Sequence, residues 1–162
     1  MNARRSTQIT ALISSRGQSD AEKATRGAAM AFIHDAFKAT GFESFLIPIP
    51  PPAHDPTLSV TIYALRFRSS IHAATNEPLL LLHGHPQNSI IYRHLGPALA
   101  KSSGRDIVIA DTRGSGMSTA PKVRNFSGQE GALLSSEILR LRYSKREMGK
   151  DMVHVMCVLS RS

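Results

Sequence analysis

A chain of 162 residues with 41% hydrophobic and 20% charged residues has the composition of a soluble globular protein and is long enough to bury one core. No run approaches the roughly 18 apolar residues of a spanning helix, which excludes a transmembrane segment, and a lone cysteine, Cys157, excludes an internal disulfide and favours a reducing, cytoplasmic setting. The net charge of +8 does not outline a nucleic-acid surface, because the basic residues are spread evenly along the chain with no aromatic residues interleaved.

Residues 1–18 carry Arg4, Arg5 and Arg16 among serines and threonines with no acidic residue, which reads as a disordered tail or a mitochondrial targeting segment. Residues 19–41 read as a helix. Ser19 and Glu22 have capping-box spacing, Gly41 sits where a left-handed terminator belongs, and Ala29, Ile33 and Phe37 share one face with Phe32 and Ala36.

Phe42 to Ile47 changes to the alternation of a strand, which Pro48 and Pro50-Pro51-Pro52 are expected to break. Leu58 to Leu65 alternates cleanly and predicts a second strand. Between them, His54 and Asp55 could suggest a metal or an acid–base pair, but their proline-rich surroundings favour a solvated turn. Pro78 then opens Leu79-Leu80-Leu81-Leu82, four leucines that predict a short strand buried on both faces at the centre of a parallel sheet. It ends in His83-Gly84-His85-Pro86. Gly84 is expected to turn the backbone where a side chain would clash, and Pro86 to fix a dihedral, leaving the His85 amide directed at the strand's carboxyl end, where open α/β sheets bind ligands.

Ser89 to Ser102 predicts helix with a discontinuity at Gly96-Pro97, stopped by Gly104. Ile107 to Ala110 predicts the next strand, parallel to the leucine strand. Asp111 to Ser118 is a glycine-rich turn at that strand's end. Its context lacks the Lys-Ser of a phosphate loop and the spacing of a dinucleotide fingerprint. Residues 123–142 form an atypical insertion. Ser144 and Glu147 again have capping-box spacing, and Met148, Met152, Val155, Met156 and Leu159 make a stripe that reads as core.

His83-Gly84-His85-Pro86, the Asp111-Thr112-Arg113-Gly114-Ser115-Gly116-Met117-Ser118 loop and the helix opened by Tyr143 to Met148 resemble the α/β-hydrolase family. Within it they resemble the branch of epoxide hydrolases and haloacetate dehalogenases. The resemblance implies a partial α/β-hydrolase fold: a mostly parallel sheet with an antiparallel first hairpin, spanning 42–162 as the amino-terminal portion of the family domain and stopping before the nucleophile strand. It implies that the His85 amide belongs to an oxyanion hole, that a covalent ester forms on a nucleophile outside these residues, and that the substrate is a small molecule. It implies no cofactor and no metal. His83, Gly84, Pro86, Asp111, Arg113, Gly114 and Gly116 are then motif or scaffold residues, with Asp111 and Arg113 bonding backbone and each other. Asp111 is not in a Gly-x-Asp-x-Gly elbow, and His94 and His154 have no paired serine or acid, so no catalytic residue is assigned. The alternative is a catalytically inactive truncated product or a non-catalytic binding module. A sheet that stops before the nucleophile strand is expected to leave an exposed apolar edge through which the chain self-associates.

Overall fold

The computed structural model describes residues 20–52, 56, 58–70, 77–121 and 142–160. The tail 1–18, the Ser19 cap, His54, Asp55 and all but the last residue of the 123–142 insertion lie outside the described residues.

Helix α1 spans Asp20–Lys38, and Gly41, at φ +88°, reverses the chain after it. Strand β1 is Glu43–Ile49 and strand β2 is Val60–Phe67, paired antiparallel with Phe45 opposite Ala64. Strand β3 is Leu79–Leu82. A 3₁₀ turn at Ser89–Tyr92 leads to helix α2, Leu95–Ser103, which stops at left-handed Gly104. Strand β4 is Ile107–Ala110 and helix α3 is Lys145–Leu159.

The sheet order is β1-β2-β4-β3. β2 pairs antiparallel with both β1 and β4, and only β3 runs parallel to β4. The described sheet is therefore mixed and mostly antiparallel, which overturns the expectation of a mostly parallel sheet. The reason lies in β2: it sits beside β4 as well as β1, so the single parallel crossover contributes one pairing of three.

Alternation along the strands sorts the core into two layers. Ile62, Ala64, Val108 and Ala110 face Met152, Val155 and Leu159 of α3. Tyr63, Leu65, Ile107 and Ile109 face Ile33 and Phe37 of α1 and Ala100 of α2. The helical stripes at three- and four-residue spacing thus meet the two faces of a period-two sheet. Phe32, placed on the apolar face of α1 by its spacing, instead points to solvent at 66% exposure.

Two local expectations fail for the same reason, position in the sheet. β1 runs through Pro48 to Ile49, because among the described strands it is paired on one side only and its other edge needs no donor. The leucine strand is not central. β3 ends the described sheet, Leu79, Leu80 and Leu81 are half-buried and Leu82 is 43% exposed. The strand buried along its whole length is β4.

Candidate functional site

The parallel pair places the carboxyl ends of β3 and β4 side by side, and two turns grow from them. The first, Gly84 to Gln87, is closed by the Gln87 N–H donating to the Gly84 carbonyl at 2.9 Å. His85 and Pro86, joined by a cis peptide, lie at its exposed tip. Gly84 is not held there by sterics. A Cβ on it would meet nothing nearer than Gln87 Oε1 at 3.6 Å, so the expected clash does not exist.

The His83 ring is buried beneath this turn. Its Nδ1 lies 2.9 Å from the Gly84 carbonyl oxygen, and its Nε2 accepts the Thr112 N–H at 3.1 Å. An amide can only donate, so Nε2 carries the lone pair and Nδ1 the proton. Asp111 Oδ1 is 3.7 Å from Nε2, but this is proximity between two acceptors rather than an ion pair. At the strand's edge the Tyr92 hydroxyl donates to the Leu82 carbonyl at 2.6 Å.

The second turn, Asp111 to Thr119, is built around a carboxylate. Asp111 is wholly buried, with Oδ1 accepting from the Ser89 amide at 2.6 Å and Oδ2 from the Met117 amide at 2.8 Å. One side chain thereby ties the 3₁₀ turn after β3 to the loop after β4. Gly116, at φ +52°, passes so close that a Cβ there would run into the Asp111 carboxylate. Here both backbone conformation and space demand glycine. Gly114, at φ +75°, packs against the Tyr143 ring, 2.9 Å from where its Cβ would be.

Ser118 completes the loop as a substitute ladder rung. Its hydroxyl accepts from the Tyr63 N–H at 2.9 Å and donates to the Asp111 carbonyl at 2.7 Å. The Thr119 N–H donates to the Thr61 carbonyl at 2.9 Å, and the Thr61 N–H donates back to Thr119 Oγ1 at 2.8 Å. The loop is thus stitched to β2 past the end of β4.

Arg113 does not bond Asp111, as the sequence reading expected. Its Nε and Nη2 donate to the two carboxylate oxygens of Asp151 at 2.7 and 2.6 Å, and its Nη1 donates to the Arg142 carbonyl at 2.6 Å. The fork of a guanidinium matches a carboxylate, and Asp151, on the buried face of α3, offers one end-on. Asp151 was missed. Its signal was available, since a charged residue at position 151 falls between Met148 and Val155 on the apolar stripe of α3.

Burial pushes the Tyr63 phenol upward, and the nearby Asp111 charge adds to it. The Ser44 side chain, close to the hydroxyl but making no hydrogen bond of normal length with it, opposes the rise, and the Ser89 hydroxyl is buried with no hydrogen-bond partner. Burial also raises Tyr143, against the opposing pull of the Arg113 guanidinium.

A cavity of about 220 Å³ lies between the proline run and α3, lined among others by Ile49, Leu58, Val60, Lys150 and His154. It is smaller than the roughly 300–1,000 Å³ of ordinary ligand sites, and neither His83 nor His85 lines it. Among the described residues no group of three or more His, Cys, Asp or Glu is placed to hold a metal ion.

The described elements define an α/β protein in which a parallel strand pair carries two backbone-rich turns at its carboxyl end. Residues 77–156 match the model of the alpha/beta hydrolase fold family, just under half of the chain. Over that segment the chain is similar to the alpha/beta hydrolase fold family. No curated protein matches it. The match corrects the narrower reading in two respects. It selects no epoxide hydrolase or haloacetate dehalogenase branch, and it lies in the carboxyl-terminal two-thirds of this chain, so it does not make residues 42–162 an amino-terminal portion of the family domain.

Proposed function

We propose that the protein serves a hydrolytic α/β-hydrolase site in which the His85 backbone N–H helps to hold a developing oxyanion on a small-molecule substrate, with an ester intermediate on a nucleophile outside the described residues. The observation that carries this reading is the position of the Gly84–Gln87 turn. It lies inside the family match, at the carboxyl end of β3, where ligands of α/β sheets bind. Asp111 does not compete for the nucleophile's role, since both of its oxygens already accept backbone amides and none of it is exposed.

The test is titration of isotope-labelled protein with acetate, a carboxylate that imitates the oxyanion's charge. A saturable movement of the His85 amide resonance supports the reading, and a His85 amide that does not respond at any concentration overturns it. A panel of short-chain esters then measures turnover directly.

The exposed side of β3 favours a second role, self-association. Leu79 N–H donates to the Asp106 carbonyl across the β4 side, so the backbone groups of Leu80 and Leu82 face the other edge, where the Tyr92 hydroxyl already takes the Leu82 carbonyl. Among the described residues no strand pairs with that edge, and Leu82, Ile91 and Leu95 are exposed. Such an edge is a template for another strand. No described helix is long and apolar enough to cross a membrane, and the exposed thiol of Cys157 fits a reducing compartment, cytoplasmic or mitochondrial.

A further inference from the structure

We infer that His83 is a positioning residue whose neutral Nδ1–H tautomer sets and polarises the peptide that carries the His85 N–H; this rests on the oxyanion reading above.

The Gly84 carbonyl and the His85 N–H belong to one peptide unit. Among the described residues the only cis bond is the next one, His85–Pro86, so this unit is trans and its C=O and N–H point in opposite directions. Whatever grips the carbonyl therefore aims the amide. The Gly84 oxygen takes two donors, His83 Nδ1–H at 2.9 Å and the Gln87 N–H at 2.9 Å. A peptide held by its oxygen from two directions cannot flip without breaking both bonds, so the His85 N–H stays directed away from the turn's interior. Two donors on the carbonyl also draw electron density from the amide nitrogen, which makes the His85 N–H a stronger donor than an unassisted one.

The His83 proton is in turn assigned by the neighbouring loop. The Thr112 N–H donates to Nε2 at 3.1 Å, which leaves Nδ1 as the protonated nitrogen of a neutral ring. Thr112 directly follows Asp111, whose carboxylate is locked between the Ser89 and Met117 amides. The relay runs from Asp111 through Thr112 and the His83 ring to the Gly84–His85 peptide. Gly84 has room for a Cβ, so hydrogen bonding, not glycine sterics, is what holds this peptide.

Asparagine and glutamine separate the two halves of the ring. His83→Asn places an amide N–H near the Nδ1 position and keeps the bond to Gly84. His83→Gln reaches the Nε2 position, keeping an acceptor for Thr112 but losing the donor to Gly84. The experiment combines long-range proton–nitrogen correlation of the His83 ring in the full chain with acetate titration of the wild type and both variants, read at the His85 amide. The expected results are an Nδ1–H tautomer, a His85 resonance near the wild-type position in H83N and displaced in H83Q, and acetate affinity at that amide about fivefold weaker in H83Q than in H83N, the factor carried by one ordinary hydrogen bond. An Nε2–H tautomer in the wild type overturns the inference even if neither variant folds. So does H83Q matching or exceeding H83N. A wild-type His85 amide indifferent to acetate, with the tautomer and the variants' resonance order as expected, overturns the oxyanion reading and leaves the peptide pin standing.

Discussion

Arg113 and Asp151 form a two-pronged, fully buried pair, with Nε and Nη2 each within 2.7 Å of a carboxylate oxygen. They join the loop after β4 to α3 across 38 residues of chain, and the third contact, to the Arg142 carbonyl, holds the segment that enters α3. Removing one partner strands the other charge in a buried site. Arg113→Met and Asp151→Leu should each cost about 3–5 kcal/mol, and the double variant distinctly less than the sum. Denaturant unfolding of the four proteins measures the coupling; strictly additive losses would show that the pair is not the link.

Asp111 and Gly116 are coupled by space. Asp111→Ala frees two buried amides, at about 1–3 kcal/mol for each. Gly116→Ala should be severe beside the intact carboxylate, but in an Asp111→Ala background it should retain only the left-handed backbone cost of about 1–2 kcal/mol. Equal effects of Gly116→Ala in the two backgrounds would refute the contact.

Tyr63 predicts an alkaline limit to stability. Its phenol is raised in the folded state above the ordinary value of about 10. Below pH 10 both folded and unfolded states keep the proton and stability is unaffected. Above it the unfolded chain ionises first, so stability falls as the pH rises toward the folded-state value. Tyr143, shifted in the same direction, adds to the decline. Tyr63→Phe should flatten the profile above pH 10. At neutral pH it should cost little, because the buried hydroxyl it removes has only a long contact to the Ser44 side chain. Urea midpoints between pH 8 and 11 provide the measurement.

The β3 edge predicts concentration-dependent association. Leu82→Lys places a charge on an already exposed position and should shift sedimentation toward the monomer with little change in unfolding midpoint. A wild type that sediments as a monomer at every concentration would remove this role.

The elements themselves were legible in the chain. Alternation at Val60–Leu65, the apolar run at Ile107–Ala110, the Ser144 cap and the Gly104 stop are local signals, and each sits in the element it announced. The two turns at the carboxyl ends of β3 and β4 were legible too, because proline and paired glycines punctuate a chain whatever surrounds it. What the residues could not show was which strands are neighbours. The same four leucines suit a central strand or an edge, and only pairing decided that, among the described strands, β4 is enclosed and β3 is not. Pro48 reads as a strand break until β1 is seen to be paired on one side. Partner choice followed the same rule. Arg113 could reach any carboxylate by its length, and packing of α3 on the sheet presented Asp151 rather than Asp111. Local periodicity is a property of sequence; adjacency across tens of residues is set by how the layers bury their faces, and the site is made of adjacencies.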